Sequence, residues 1–141
     1  GATEVEMIEK KHRVEDAIEA VKSAQEGGIV PGGGTTLLRC AEFTIDAENE
    51  DQKTGSEIIR RSLEAPIRQM AINAGASPDI IVDKVLGCSD LEIGWDFKQE
   101  ELSNLLESGV IDPAKVTKTA LKNAVSVAST LVTTQGSIVE E

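Results

Sequence analysis

The sequence predicts an all-α fold, mainly helical, with one small β-hairpin and a short terminal strand. Three observations carry this. Of the 141 residues 40% are hydrophobic but only 2% aromatic, so the core must be built from Ile, Leu, Val and Ala, which suits close packing between helices. Apolar residues recur at helical spacing in several long runs. Glycines and prolines mostly fall between those runs, where they act as caps and stops. A chain of this length suits one domain able to bury about two-thirds of its unfolded surface.

The first run, Glu4 to Glu26, carries Val14, Ala17, Ile18 and Val21 as one stripe expected to face a core, with Asp16 on the opposite face. It breaks at Gly27-Gly28, crosses the apolar bridge Ile29-Val30, and enters Pro31-Gly32-Gly33-Gly34 before a second helix opens at Thr35. Without β-carbons, successive glycines let backbone N–H groups approach a ligand closely, and a helix start adds unpaired donors. The stretch matches neither GxGxxG nor GxxxxGK[ST], so alone it also fits a plain cap and turn. The functional reading is a phosphate loop at the base of a helix whose carboxylate, Asp16, holds a metal ion or orients a water. The plainer reading makes Asp16 solvated surface.

The second helix is expected to run through Leu37, Leu38, Ala41 and Ile45 into an acidic loop from Asp46 to Asp51. Thr54 with Glu57 three residues on reads as a capping box for a third helix. That helix has the stripe Ile58, Ile59, Leu63, Ile67, Met70 and a bend at Pro66. Asn73-Ala74-Gly75 ends it, and Ser77-Pro78 opens a short helix closed by Gly87. Leu91 to Phe97 alternates apolar and polar residues around Gly94, a hairpin signal. A further helix through Leu102, Leu105 and Leu106 is expected to stop at Gly109. Asp112-Pro113 then reads as an N-cap and first-turn proline for a last long helix. Its inner face would be Val116, Ala120, Ala124, Val127 and Leu131; Gly136 ends it, and Ser137 to Val139 forms the terminal strand.

Charge and composition exclude several functions. A formal net charge of −11 argues against a nucleic-acid partner or an anionic membrane surface, which need clustered Lys and Arg. The basic run Lys10-Lys11-His12-Arg13 is too short to reverse that. His12 is the only histidine, and nothing beside it supports a metal site or a nucleophile–histidine pair. Cys40 and Cys88 lack CxxC spacing and sit among apolar neighbours, which reads as two reduced core thiols in a cytosolic-type compartment. No signal peptide and no apolar run of membrane-spanning length is expected.

Five separated stretches add up to a family resemblance: Glu-Lys-Lys-His-Arg-Val-Glu-Asp-Ala at 9–17, Gly-Ile-Val-Pro-Gly-Gly-Gly at 28–34, Leu-Glu-Ala-Pro at 63–66, Gly-Val-Ile-Asp-Pro at 109–113 and Val-Ser-Val-Ala at 125–128. In order and approximate spacing the chain resembles the C-terminal part of a GroEL-type group I chaperonin, from end to end. The resemblance implies that residues 1–28 are the returning helix of the intermediate domain. Residues 29–141 would then be the C-terminal half of the equatorial, ATP-binding domain. It implies a fragment of an ATP-dependent protein-folding machine, whose intact form binds ATP with magnesium and works in the cytoplasm or an organelle matrix. Its partners would be other chaperonin subunits in stacked rings, with cochaperonin and unfolded client proteins engaged through domains this segment lacks. The segment alone is expected to have no ATPase activity and to self-associate.

Site residues follow from the same resemblance. Asp16 matches the catalytic aspartate that swings onto the nucleotide and positions the hydrolytic water. Gly32, Gly33 and Gly34 match the glycine loop beside the nucleotide, with Gly33 the expected contact. Asp112 matches the aspartate that bonds the ribose, and Val110 supplies an apolar contact to the base. Asp96, Phe97 and Lys98 occupy the adenine side, where the family commonly has Asn-Ala-Ala after a Gly-aromatic pair; Gly94-Trp95 keeps the pair and the triplet departs. The alternative from another class is a stand-alone helical interaction module without an ATPase cycle.

Overall fold

The computed structural model describes residues 3–43, 46–134 and 136. Helix α1 spans Glu4–Gly27 and opens with a capping box: the Thr3 hydroxyl accepts the Glu6 N–H, and the Glu6 carboxylate accepts the Thr3 N–H. It closes at Gly28, whose φ of +80° favours glycine. Its stripe does not face a core within this chain. Val14, Ile18 and Val21 are all exposed by half or more, and the half-buried positions Ala20, Ser23 and Ala24 lie toward the C-terminal end.

Two short strands that periodicity does not reveal form the junction. Strand β1, Ile29–Pro31, pairs antiparallel with Ile111–Pro113, strand β4, placing Val30 opposite Asp112. Helix α2, Thr35–Cys40, ends earlier than expected; Ala41 is buried in the turn that follows, and Ile45 lies outside the described residues.

The next two helices correct the sequence reading. Helix α3, Glu50–Ser62, is capped by Asn49, whose side-chain oxygen accepts the Gln52 N–H at 2.9 Å. Glu50 and Asp51 therefore sit in the first turn, where acidic groups complement the helix dipole, rather than in a loop. Thr54, the expected cap, is inside the helix and donates to the Glu50 carbonyl. Pro66 does not bend a continuous helix. The chain turns at Leu63-Glu64 and restarts as α4, Ala65–Asn73, with Pro66 in the first turn, where its missing N–H has no carbonyl to satisfy.

Helix α5, Pro78–Leu86, follows as expected, and Arg68 ties it to α4 by reaching Glu64 at 2.9 Å and Asp79 at 2.7 Å. Strand β2, Ile93–Asp96, pairs antiparallel with β3, Glu101–Asn104, with Trp95 opposite Leu102. The helix expected through Leu102 is thus the return strand of the hairpin, followed by a turn that buries Leu105 completely.

Helix α6, Ala114–Val132, has no side-chain cap, because Asp112 is the central residue of β4. The expected inner face is exposed: Val116, Ala120, Ala124, Val127 and Leu131 lie outward, while Thr117, Leu121 and Val125 are half-buried. The expected terminal strand, Ser137 to Val139, lies outside the described residues.

The core is small and central. Leu38 of α2, Ile67 and Ala71 of α4, and Ile81, Val82 and Val85 of α5 pack together, with Trp95, Phe97 and Leu102 of the hairpin against them. Arg39, only 5% exposed, donates to the carbonyls of Asp90 and Ile93 and fastens α2 to the entry of β2. Neither cysteine is a core thiol: both are free, Cys40 exposed and Cys88 half-buried. No described helix is long and apolar enough to cross a membrane.

Candidate functional site

The glycine turn between β1 and α2 is fastened at three points. Gly32 N–H donates to the Val110 carbonyl at 2.8 Å, Thr35 N–H donates back to the Gly32 carbonyl at 3.1 Å, and the Thr36 hydroxyl donates to the Pro31 carbonyl at 2.7 Å. These bonds set the loop against the residues entering β4. Gly33 and Gly34 have φ of +64° and +75°, a region where an L side chain is strained.

The two left-handed glycines serve different ends. A β-carbon at Gly34 would stand 2.8 Å from the Ile67 backbone nitrogen, so its bareness lets α2 seat on α4. A β-carbon at Gly33 would meet only the Trp95 carbonyl at 3.5 Å and Val110 Cγ1 at 4.0 Å. Gly33 thus borders a shallow cleft between the Trp95 carbonyl and Val110, which a β-carbon would enter at ordinary contact distance. The short α2 contributes less dipole to that cleft than the longer helix expected from the sequence.

Pairing of β1 with β4 holds Asp112 beside this cleft, one strand across from Val30. Partial desolvation raises its carboxyl above the ordinary carboxylate range. It makes no salt bridge among the described residues. Asp112 is nevertheless exposed at the surface of this chain, and an accessible carboxylate without a cation is suited to accept hydroxyl hydrogen bonds from a ligand.

The triplet Asp96-Phe97-Lys98, expected on the adenine side, is divided between the core and the surface. Asp96 is buried, and its Oδ1 accepts the N–H groups of Lys98 at 2.8 Å and Gln99 at 3.1 Å, an Asx turn that shapes the β2–β3 connection. Phe97 is half-buried against the core and Lys98 is exposed. Asp16 is exposed on α1, about three turns and roughly 16 Å along the helix axis from Gly27.

The structure therefore gathers Gly32, Gly33, Val110 and Asp112, with Gly34 behind them as a packing residue. It does not bring Asp16 to them. Sequence reasoning missed the Trp95 carbonyl on the cleft wall and the Thr36 hydroxyl bracing the loop. A Thr-Thr pair directly after a glycine run was the available signal for Thr36; the Trp95 carbonyl had none, because any residue type would present it.

The fold is shared with a solved protein. Over 98% of its length the chain is similar to a group III chaperonin in the open state, with a TM-score of 0.79 and 28% sequence identity. The helical architecture with its small sheets is thus a chaperonin architecture. The chain belongs to the TCP-1/cpn60 chaperonin family, whose match extends over residues 1–141. It spans 29% of the length of that group III chain.

Proposed function

We propose that the chain is the C-terminal part of an ATP-dependent group I chaperonin subunit, supplying one wall of the nucleotide site and a movable arm that carries Asp16. The observation behind this reading is the fastened glycine loop, in which Gly33 borders the cleft while Asp112 stands exposed beside it with no salt-bridge partner among the described residues. The group I branch is favoured by the five sequence stretches described above. Residues 1–28 form the intermediate-domain helix and 29–141 the second half of the equatorial domain, a division supported by the left-handed Gly28 that separates α1 from β1.

ATP supplies the scissile phosphoanhydride when bound. Gly33 admits it by backbone approach, Val110 offers an apolar surface to the base, and Asp112 accepts from the ribose hydroxyls. Asp16 orients the attacking water after α1 swings inward. No set of three or more metal-ligating side chains occurs among the described residues, and magnesium is assigned to the N-terminal half of the subunit. Ring partners, cochaperonin and non-native clients are likewise engaged by the whole subunit, in the cytoplasm or an organelle matrix.

The intact subunit tests this. Asp112→Ala should weaken ATP binding by about tenfold, the loss of one good hydrogen-bond acceptor. Asp16→Ala should leave affinity unchanged and slow single-turnover hydrolysis by on the order of a hundredfold. Unchanged ATP affinity in the first variant with unchanged hydrolysis in the second would overturn the reading, as would magnesium-dependent turnover by the 141-residue chain alone.

A further inference from the structure

Helix α2, with the glycine loop before it, meets strand β2 at three successive points. Arg39 Nη2 donates to the Ile93 carbonyl at 3.2 Å and to the Asp90 carbonyl at 3.1 Å. One turn earlier, Thr35 packs on Gly94, where a β-carbon would collide with the Thr35 side chain. Before the helix, the Trp95 carbonyl stands 3.5 Å from where a β-carbon on Gly33 would be. Followed backward from Arg39 to Gly33, α2 and its loop therefore match β2 followed forward from Ile93 to Trp95. Thr35 and Arg39, four residues apart, share one face of the helix. The cleft lies at one end of this row of contacts and Arg39 at the other.

The Arg39 site is not arranged for stability alone. Its side chain is 5% exposed, Nη1 reaches Glu42 at 3.4 Å, and Nε is buried with no partner among the described residues. Burying a guanidinium with one donor unpaired carries a desolvation cost that an apolar side chain of similar bulk would not. What an apolar side chain lacks is a directional hold on the backbone of another element, because hydrophobic contact has no preferred direction and a hydrogen bond does.

We propose that Arg39 is a positioning residue for the nucleotide: by holding β2 in place along α2 it sets the gap between Gly33 and the Trp95 carbonyl, and with it the fit of a ligand in the cleft. This rests on the nucleotide reading above. Arg39 touches no ligand itself and acts through β2.

The test is made on the intact subunit, by equilibrium ATP binding and by single-turnover hydrolysis at saturating ATP, with denaturant unfolding to establish that each variant is folded at the assay temperature. In Arg39→Lys the ammonium ends one bond short of Nη2, and ATP affinity should fall by about tenfold. Arg39→Met, which has no donor, should lose at least as much, and if it does not fold the lysine variant carries the test. The saturated hydrolysis rate should stay within about twofold of the parent in both, because Val110 and Asp112 beside the gap meet base and ribose rather than the reacting phosphate. Val82→Ala removes core volume from α5 and none of the bonds between α2 and β2; it should lower stability yet leave ATP affinity within about twofold of the parent. Unchanged affinity in Arg39→Lys, a saturated rate that falls with the affinity, or equal weakening in Val82→Ala would each overturn the proposal while leaving the nucleotide reading in place. Failure of the parent subunit to bind ATP would overturn that reading and the proposal with it.

Discussion

Substitution of alanine at Gly34 and at Gly33 should give sharply different losses of stability, although the two residues are adjacent and both left-handed. At either position alanine incurs the cost of positive φ, about 1 kcal/mol. At Gly33 the new methyl meets nothing closer than 3.5 Å, so that cost is nearly the whole effect. At Gly34 the methyl would stand 2.8 Å from Ile67 N and 3.0 Å from Ile67 Cα, and backbone cannot rotate aside as a flexible side chain does. Relief requires α2 to lift from α4, and overpacking of this kind costs about 1–3 kcal/mol more. The expected totals are about 1 kcal/mol for Gly33→Ala and about 2–4 kcal/mol for Gly34→Ala, against a whole-domain stability of about 5–15 kcal/mol. In urea, with a slope near 2 kcal/mol per molar, the midpoint should fall by about 0.5 M and by about 1–2 M respectively. The same pair reverses in the intact subunit: Gly33→Ala should impair nucleotide binding more than it impairs stability. Equal midpoint shifts for the two variants would refute the division between a packing glycine and a cleft glycine.

Other expectations are as direct. Arg39→Met keeps most of the buried volume but removes the donors to the Asp90 and Ile93 carbonyls; it should cost about 2–3 kcal/mol by denaturant unfolding, and a loss below half a kcal/mol would show those bonds to be idle. Asp112 holds its proton more tightly in the folded chain than at the ordinary value of 3.8, so its contribution to stability declines as pH rises through the raised value. Asp112→Asn should therefore be stabilising relative to the parent at neutral pH and indistinguishable from it below the ordinary value, as thermal unfolding across pH will report. Sedimentation of the 141-residue chain should show dimers or larger species, because the faces bearing Val14, Ile18 and Val21, and Val127 and Leu131, are uncovered. Ile18→Glu with Leu131→Glu should shift it toward monomer, and a strictly monomeric parent would contradict the expectation.

How far the sequence was legible depended on the range of the determining interaction. Local signals worked: α1, α5, the stop at Gly75 and strand β2 all follow from periodicity and caps. Competing local signals were harder. Asn49 and Thr54 both qualify as caps, and the earlier one wins because Glu50 and Asp51 then fall in a first turn that favours acids. Leu102, Leu105 and Leu106 have helical spacing, yet Leu102 finds Trp95 across a hairpin, a partner that no window over 101–109 contains. Strands β1 and β4 are three residues each and define one another only by meeting. The stripes on α1 and α6 were identified as apolar, but periodicity does not say whether a face is covered.

For the candidate site, the glycine run and Asp112 were legible as residues, whereas their packing and pairing were not. Gly34 looks like its neighbours in sequence and is distinguished only by Ile67 behind it. Asp112 looked like a helix cap, since Asp-Pro is a strong start signal, but the β1 backbone claims it as a strand residue first. Asp96 was expected on the adenine side, and the turn that takes up one of its oxygens is a local role the sequence did not announce.

The β1–β4 ribbon has a mechanical consequence. The C-terminus of α1 and the N-terminus of α6 leave it side by side, joined by the Ala114 N–H bond to the Gly28 carbonyl and by Lys115 on Glu26. Both long rods thus share one fulcrum, and the glycine cleft lies on it. With 24 residues in α1, a tilt of roughly 10° at the ribbon sweeps its far end through about 6 Å, because the rod is about 36 Å long. A displacement at the cleft that tilted the ribbon, even one too small to disturb the core packing, would be magnified into travel on the scale of a side chain at the tip of α1, and a load applied at that tip would return to the cleft with the same leverage.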